Sequence, residues 1–214
     1  VIVFKTDDPK RLEPFIVFID KYYRLKHEKK IKKTQVSQIS ALAPKHRIFV
    51  YKVWAGLFSV SIEPNETGTP EVVYKPVSFK IATNNPLQAT IMGNVDNRIR
   101  SLEAALQYLD NLMQQEENVI AIFSGLFQRN DNFIAFLRYV IFEESFYEKG
   151  HLIVVFSENP EAIIDRATLE YSIYREIPAS IDDERRELIK TTASISKAFL
   201  NGEVNIDSLI NATR

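Results

Sequence analysis

Val119-Ile120-Ala121-Ile122-Phe123, an amphipathic segment from Asp131 to Tyr147, then Leu152-Ile153-Val154-Val155-Phe156: this succession, inside the stretch Asn118 to Lys190, decides how the chain is read. The second apolar run stops at Ser157-Glu158-Asn159-Pro160. A short helical piece, a third short strand at Ser172 to Ile177 and the punctuated segment Pro178-Ala179-Ser180-Ile181-Asp182-Asp183-Glu184-Arg185-Arg186 complete it. Short bounded runs of Val, Ile and Phe alternating with helices of a dozen residues are the pattern of parallel strands covered by helices. The helix after Asn130-Asp131 should bury Phe133, Ile134, Phe136, Leu137, Val140 and Ile141, leaving Tyr139, Phe142, Phe146 and Tyr147 on its flanks. So wide an apolar girdle suggests contact on more than one side, by ordinary packing or across an inter-domain or inter-subunit surface.

Before that stretch, Val1 to Lys5 reads as a buried strand, and Asp8-Pro9 as a helix start with Asp as N-cap and Pro at the first helical position. Pro14 makes that helix begin later or kink. Leu12, Phe15, Ile19 and Tyr22 or Tyr23 share one face at helical spacing. The helix ends in His27-Glu28-Lys29-Lys30-Ile31-Lys32-Lys33, the one concentrated basic run. It suits a solvated helix end, and without interleaved Arg and aromatics it is a poor nucleic-acid patch. Arg47 to Trp54, Leu57 to Ile62 and Val72 to Ile81 are expected strands, the last two separated by the loop Glu63 to Pro70. They make a β-hairpin inserted into the parallel sheet or appended to it. Trp54, the only tryptophan, is expected in the core or packed on the hairpin, with an exposed interface anchor as the alternative. Residues 83–97 read as an irregular connection. A helix marked by Leu102, Ala105, Leu106, Leu109, Leu112 and Met113 follows, capped by Ser101 or Asn97.

After the deciding stretch, Ser180-x-x-Asp183 resembles a capping box and opens a helix to about Leu200, which Asn201-Gly202 ends. The expected organisation is an α/β domain over residues 1–180, with its β insertion near 56–81, and the start of a helical lid over 181–214. A chain of 214 residues can bury a substantial core. With 27 Lys plus Arg against 28 Asp plus Glu, its charge implies no general attraction to nucleic acid or anionic membrane. No apolar run approaches the ~20 residues of a membrane span. The start lacks the basic region of a secretory signal, and zero Cys rules out disulfides and thiolate chemistry. A cytoplasmic protein is expected, and the first residue, Val rather than Met, suggests trimming.

Alternating strands and helices invite a nucleotide, so its grip was sought. A P-loop needs G-x-x-x-x-G-K-[ST] after a strand, so that backbone N–H groups cradle phosphates and Lys reaches them. Here Val1 to Thr6 leads instead into Asp7-Asp8-Pro9-Lys10-Arg11, and the first glycine is Gly56. No G-x-G-x-x-G occurs. Phe123 leads into Ser124-Gly125, which cannot hold a divalent cation as a carboxylate pair would. His27, His46 and His151 show no metal or triad spacing, and there is no G-x-S-x-G elbow. Asp182-Asp183-Glu184 is better read as helix-start carboxylates than as an acid/base or metal cluster. No catalytic and no metal residue is therefore assigned.

Between Leu152 and Ile189 the residues become specific. Leu152 to Pro160, then Ile163-Ile164-Asp165, then Tyr174-Arg175-Glu176-Ile177-Pro178, then Asp183-Glu184-Arg185-Arg186-Glu187-Leu188-Ile189 resembles the sensor-1-to-lid stretch of AAA+ ATPases. The resemblance puts Asn159 at the sensor-1 position, Val119 to Phe123 on the Walker B strand and Asp131 to Tyr147 on the helix after it. It covers about residues 100–200 well and the first hundred loosely. Walker A is missing, Ser124-Gly125 replaces the acidic pair, and Glu143-Glu144-Ser145 offers no arginine finger. In these departures the chain is similar to the motif-less N-terminal half of archaeal and plastid or cyanobacterial AAA proteins, in which a degenerate domain precedes a working AAA module. The end at Arg214 is then expected to fall before that module.

What the resemblance implies is a three-layer, P-loop-NTPase-like parallel sheet with helices on both faces. It implies a non-catalytic domain of an AAA-type ATPase, serving as scaffold, oligomerisation surface or substrate adaptor. The chain itself would hold no cofactor, ATP and Mg belonging to the parent protein. Its partners would be the AAA module of the same polypeptide, neighbouring subunits or a protein client, with neither nucleic acid nor membrane. Asn159 is expected simply to cap the helix after Pro160. The alternative is an active nucleotide-dependent ATPase whose phosphate loop lies outside this chain.

Overall fold

Each apolar run forms a strand, and burial explains their composition. In the computed structural model, which describes residues 1–6, 8–33, 46–66, 68–78 and 97–177, the strands are β1 (Ile2–Lys5), β2 (Arg47–Lys52), β3 (Gly56–Pro64), β4 (Pro70–Pro76), β5 (Val119–Ser124), β6 (Leu152–Ser157) and β7 (Ile173–Glu176). They make one seven-stranded sheet in the order β4-β3-β2-β5-β6-β1-β7. The central strands β5 and β6 are buried on both faces, so neither alternates. β2, β5, β6, β1 and β7 are mutually parallel. The hairpin β3–β4 is appended at one edge, antiparallel to β2, so the sheet is mixed and not purely parallel. The loop expected over Glu63 to Pro70 is shorter than its composition suggests. Pairing continues to Pro64 opposite Pro70, leaving a turn in which Asn65 and Thr69 bond each other.

Helices cover both faces. A 3-10 turn (Pro9–Arg11) leads into α1 (Leu12–Lys33); then come α2 (Leu102–Gln115), α3 (Asp131–Phe142), α4 (Glu144–Glu148), α5 (Pro160–Ile163) and α6 (Arg166–Glu170). On one face Phe49, Ala121, Phe123, Ile153 and Val155 form one core with Leu109 and Met113 of α2 and Phe133 and Leu137 of α3. The alternate side chains point the other way. Phe4 and Phe156, paired in register, both meet Phe15 of α1, at 5.3 and 5.4 Å between ring centroids. Ile16 and Ile19 are buried beside them.

Of the two tyrosines expected on the α1 face, Tyr23 is the one that turns inward, its hydroxyl donating to the Gly150 carbonyl at 3.2 Å, while Tyr22 is half exposed. Of the two outcomes expected from Pro14, the later start is the one seen: the α-helix begins at Leu12, after the 3-10 turn, and is not broken at Pro14. That proline stands in the first turn of α1, where an N–H has no helical acceptor to lose. Ser101 is the α2 cap, accepting from the Ala104 N–H at 3.2 Å, and Asn130 caps α3 by accepting from Phe133 at 2.9 Å. Residues Val1–Glu176 make one compact unit. The connection through residues 83–96, the capping box at Ser180 and the lid at 181–214 lie outside the described residues. Among those described, no helix is long and apolar enough to cross a membrane.

Candidate functional site

In a parallel sheet the strand exits lie together, and register shows which ones. Lys5 pairs with Ser157, Lys52 with Ser124, and Ser124 with Phe156, so β1, β2, β5 and β6 end side by side. From β1 the chain crosses to α1 on one face. From β6 it enters α5 and α6, whose Ile163 and Leu169 join the core on the other. Neighbouring strands β6 and β1 therefore send their successors to opposite faces. An open α/β sheet has its binding crevice at such a switch, outside the carboxyl ends of the strands. A cleft of about 390 Å³ lies there, lined by Thr6 and Leu12, by Trp54, by Ser124 to Phe127, and by Phe156 to Asn159 with Ala162.

Local backbone chemistry shapes its walls. The turn Val53-Trp54-Ala55 is closed by the Ala55 N–H on the Lys52 carbonyl at 3.0 Å and ends at Gly56, whose φ is +95°. That left-handed backbone favours glycine. A Cβ at Gly56 would also stand 2.2 Å from the Ile99 carbonyl oxygen. The same oxygen accepts from Leu57 N–H at 2.8 Å, which pins the turn to the segment before α2. Trp54 is held outward, 82% exposed, and stacks on Phe127, 57% exposed, with centroids 5.5 Å apart and planes within 9°. The core or hairpin role expected for Trp54 is thus corrected. The turn projects its side chain over the strand ends, where no described helix covers it.

The floor is polar and already ordered. The Thr6 N–H donates to the Ser157 carbonyl at 2.9 Å, and the Thr6 hydroxyl accepts from Asp8 N–H at 3.2 Å. Asp8 in turn accepts from Lys10 N–H at 3.0 Å and ion-pairs with Arg11 at 3.7 Å. The Ser157 hydroxyl accepts from Asn159 N–H at 3.1 Å. After β1 the Asp8 carboxylate thus occupies the N–H of Lys10, the Thr6 hydroxyl that of Asp8, and Pro9 has none to offer. Glu158 is the one ionisable side chain among the described lining residues, and no Lys, Arg or His stands with it.

Asn159 lies at the exit of β6, exposed, as the sequence placed it. It stands at the N-cap position of α5, as expected, but its side chain makes no capping bond. The working cap nearby is Asp165 of α6, which accepts from Thr168 N–H at 3.2 Å and its hydroxyl at 2.6 Å, and from Arg138 at 2.9 Å. Burial pushes the Asp165 carboxyl up, but these bonds from Thr168 and Arg138 outweigh it and hold it at about 2.

The histidines stand at the other end of the sheet. His46, just before β2, lies 2.9 Å from Asp20, which also binds Arg24 at 2.7 Å. Burial alone would raise Asp20, and the bonds from His46 and Arg24 turn the balance downward. His151 Nδ1 accepts from Val119 N–H at 3.1 Å, which leaves Nε2–H to donate to the Met113 carbonyl at 2.9 Å. Both imidazoles are tied into packing. Among the described residues no three His, Cys, Asp or Glu side chains form a group able to hold a metal ion. Asp7, the His27 side chain and Asp182 to Glu184 lie outside the description.

Phe127, Thr6 and Glu158 carried no role in the sequence reading. Phe127 stands three residues past the end of β5 and Trp54 two past the end of β2. They meet only because β2 and β5 are neighbours in parallel register, and no local signal in the sequence announces that pairing. No family model, curated protein or solved structure matches the chain.

Proposed function

We propose that this chain is a non-catalytic AAA+-like domain of a larger ATPase, acting as scaffold, oligomerisation surface or substrate adaptor. In this reading ATP and Mg are bound by a module elsewhere in the parent protein. The partners are that module, neighbouring subunits or a protein client. Two features support it. Counting only the parallel strands in chain order, the sheet runs 2-3-4-1-5, with the first strand between the fourth and the fifth. A parallel core with helices on both faces is what the resemblance of Leu152 to Ile189 implies. The observation that carries the loss of activity is the exit of β1, where Asp8 takes the backbone donor of Lys10 and the cleft offers Glu158 but no described cation. A triphosphate there would meet a carboxylate and find no lysine.

The alternative ATPase, with its phosphate loop outside the chain, is disfavoured by the same exit. In the proposed reading β1 is the strand such a loop would follow and α1 its helix. Isothermal titration of the chain with ATP and with ADP, each with magnesium, tests the reading. Only dilution heat is expected up to millimolar nucleotide, and binding in the low micromolar range would overturn it.

A further inference from the structure

We propose that the crevice at the carboxyl ends of β1, β5 and β6 binds a guanidinium or ammonium cation, on the aromatic face of Trp54 and the carboxylate of Glu158. Large aromatic side chains left in water are ordinary when scattered singly, but a stacked pair on the rim of a switch-point cleft is a platform. One face of Trp54 lies against Phe127, and at 82% exposure the other is left open. The indole face carries the negative lobe of the ring quadrupole and attracts a cation, most strongly for Trp among the aromatics. A planar guanidinium also stacks on it while keeping its edge donors free.

The polar groups of the cleft select the same ligand. Glu158 has no ion-pair or hydrogen-bond partner among the described residues, and no described cation lines the cleft to neutralise it. The Asn159 side chain, free of its cap, and Ser124 at the end of β5 add acceptor oxygens toward the five donors of a guanidinium. Of the basic side chains near the strand ends, Lys5 acts on Glu161 and two others are engaged elsewhere. Lys52 lies over the Tyr74 ring at 3.8 Å, and Arg11 pairs with Asp8. An anion would be repelled by Glu158. An uncharged ring or sugar would stack on Trp54 yet cover that carboxylate without compensating it. A cation answers both features at once.

This extends the reading of a crevice without phosphate grip, and the test separates the two. Trp54 is the only tryptophan, so intrinsic emission reports on this cleft alone. The chain is titrated with L-argininamide, with acetyl-Gly-Arg-Gly-amide, with adenosine and with MgATP, beside the variants E158Q and F127A checked for fold by circular dichroism. Argininamide is expected to change the emission saturably, with binding weakened about tenfold or more in E158Q and weakened also in F127A. Tighter binding of the peptide assigns the cation to a protein segment; equal binding assigns it to a free small molecule. A flat response to both cations, an unchanged affinity in E158Q, or adenosine binding as well as argininamide would overturn the proposal. A flat response to cations with MgATP also silent sinks this inference alone, whereas micromolar MgATP binding sinks the reading beneath it.

Discussion

At Gly56 the backbone has two separate reasons to refuse a side chain, and Gly68 has only one. Both adopt positive φ, +95° and +78°, but a Cβ at Gly68 meets nothing within 4 Å while at Gly56 it lands on the Ile99 carbonyl. Gly56→Ala should therefore cost about 3 kcal/mol or more, and Gly68→Ala about 1–2 kcal/mol, as measured by urea unfolding. Equal losses would show that the Ile99 contact imposes no strain. His151 gives a pH signature. Burial holds its imidazolium below the ordinary 6.5, with both ring nitrogens bonded as the neutral form. The unfolded chain then binds the extra proton first, so stability is full above pH 6.5 and falls as pH drops through 6.5 toward the folded value, by at most about 1.4 kcal/mol per unit. Asp20, held low, acts only below the carboxylate range. Between pH 7.5 and 5.5 the wild type should lose more stability than H151Q, and equal losses would contradict the assignment. His46 and His151 were legible in the sequence only as scattered histidines without triad spacing. Their partners Asp20 and Met113 were not, being 26 and 38 residues away in the chain.

Among the elements, the segment from Asp131 to Tyr147 is not one helix: α3 ends at Phe142, Val140 and Ile141 are only half-buried, and Phe146, expected on a flank, is buried from α4. The sequence signals hold best for the first turns of α3. Asn130 caps it and also donates to Glu103 of α2 at 3.1 Å, and Phe133, Ile134, Phe136 and Leu137 are buried as their spacing requires. Asn130→Ala should cost about 1–2 kcal/mol, and Asn130→Asp, which keeps the cap acceptor but faces Glu103, about half of that or less. Chemical denaturation of the pair checks it: an aspartate as costly as the alanine would place the energy in the Glu103 bond. Leu137→Ala, at the centre of the same face and fully buried, should cost about 2–5 kcal/mol in the same assay. Elements set by local periodicity or capping were readable in advance. Trp54 was misplaced, and the choice between Tyr22 and Tyr23 stayed open, because exposure of an aromatic depends on which neighbour covers it. The hairpin was readable as antiparallel, yet only the strand pairing shows that it extends one edge.

For the whole molecule, alternation of strands and helices foretold an α/β sheet but not its order. Inserting β1 between β6 and β7 depends on contacts more than 150 residues apart, such as Val3 with Val155, and no window of sequence contains them. That order creates the switch point, and the switch point creates the cleft. Thr6 and Ser124-Gly125, read in the sequence as following strands, do line it, and beside them Asp8 accepts from the Lys10 N–H. The most direct measurement is the emission of Trp54, on the rim of that cleft, as MgATP is added to the purified chain. The expected result is no saturable change up to millimolar nucleotide; a saturable change in the micromolar range would place a triphosphate in the crevice and contradict the account.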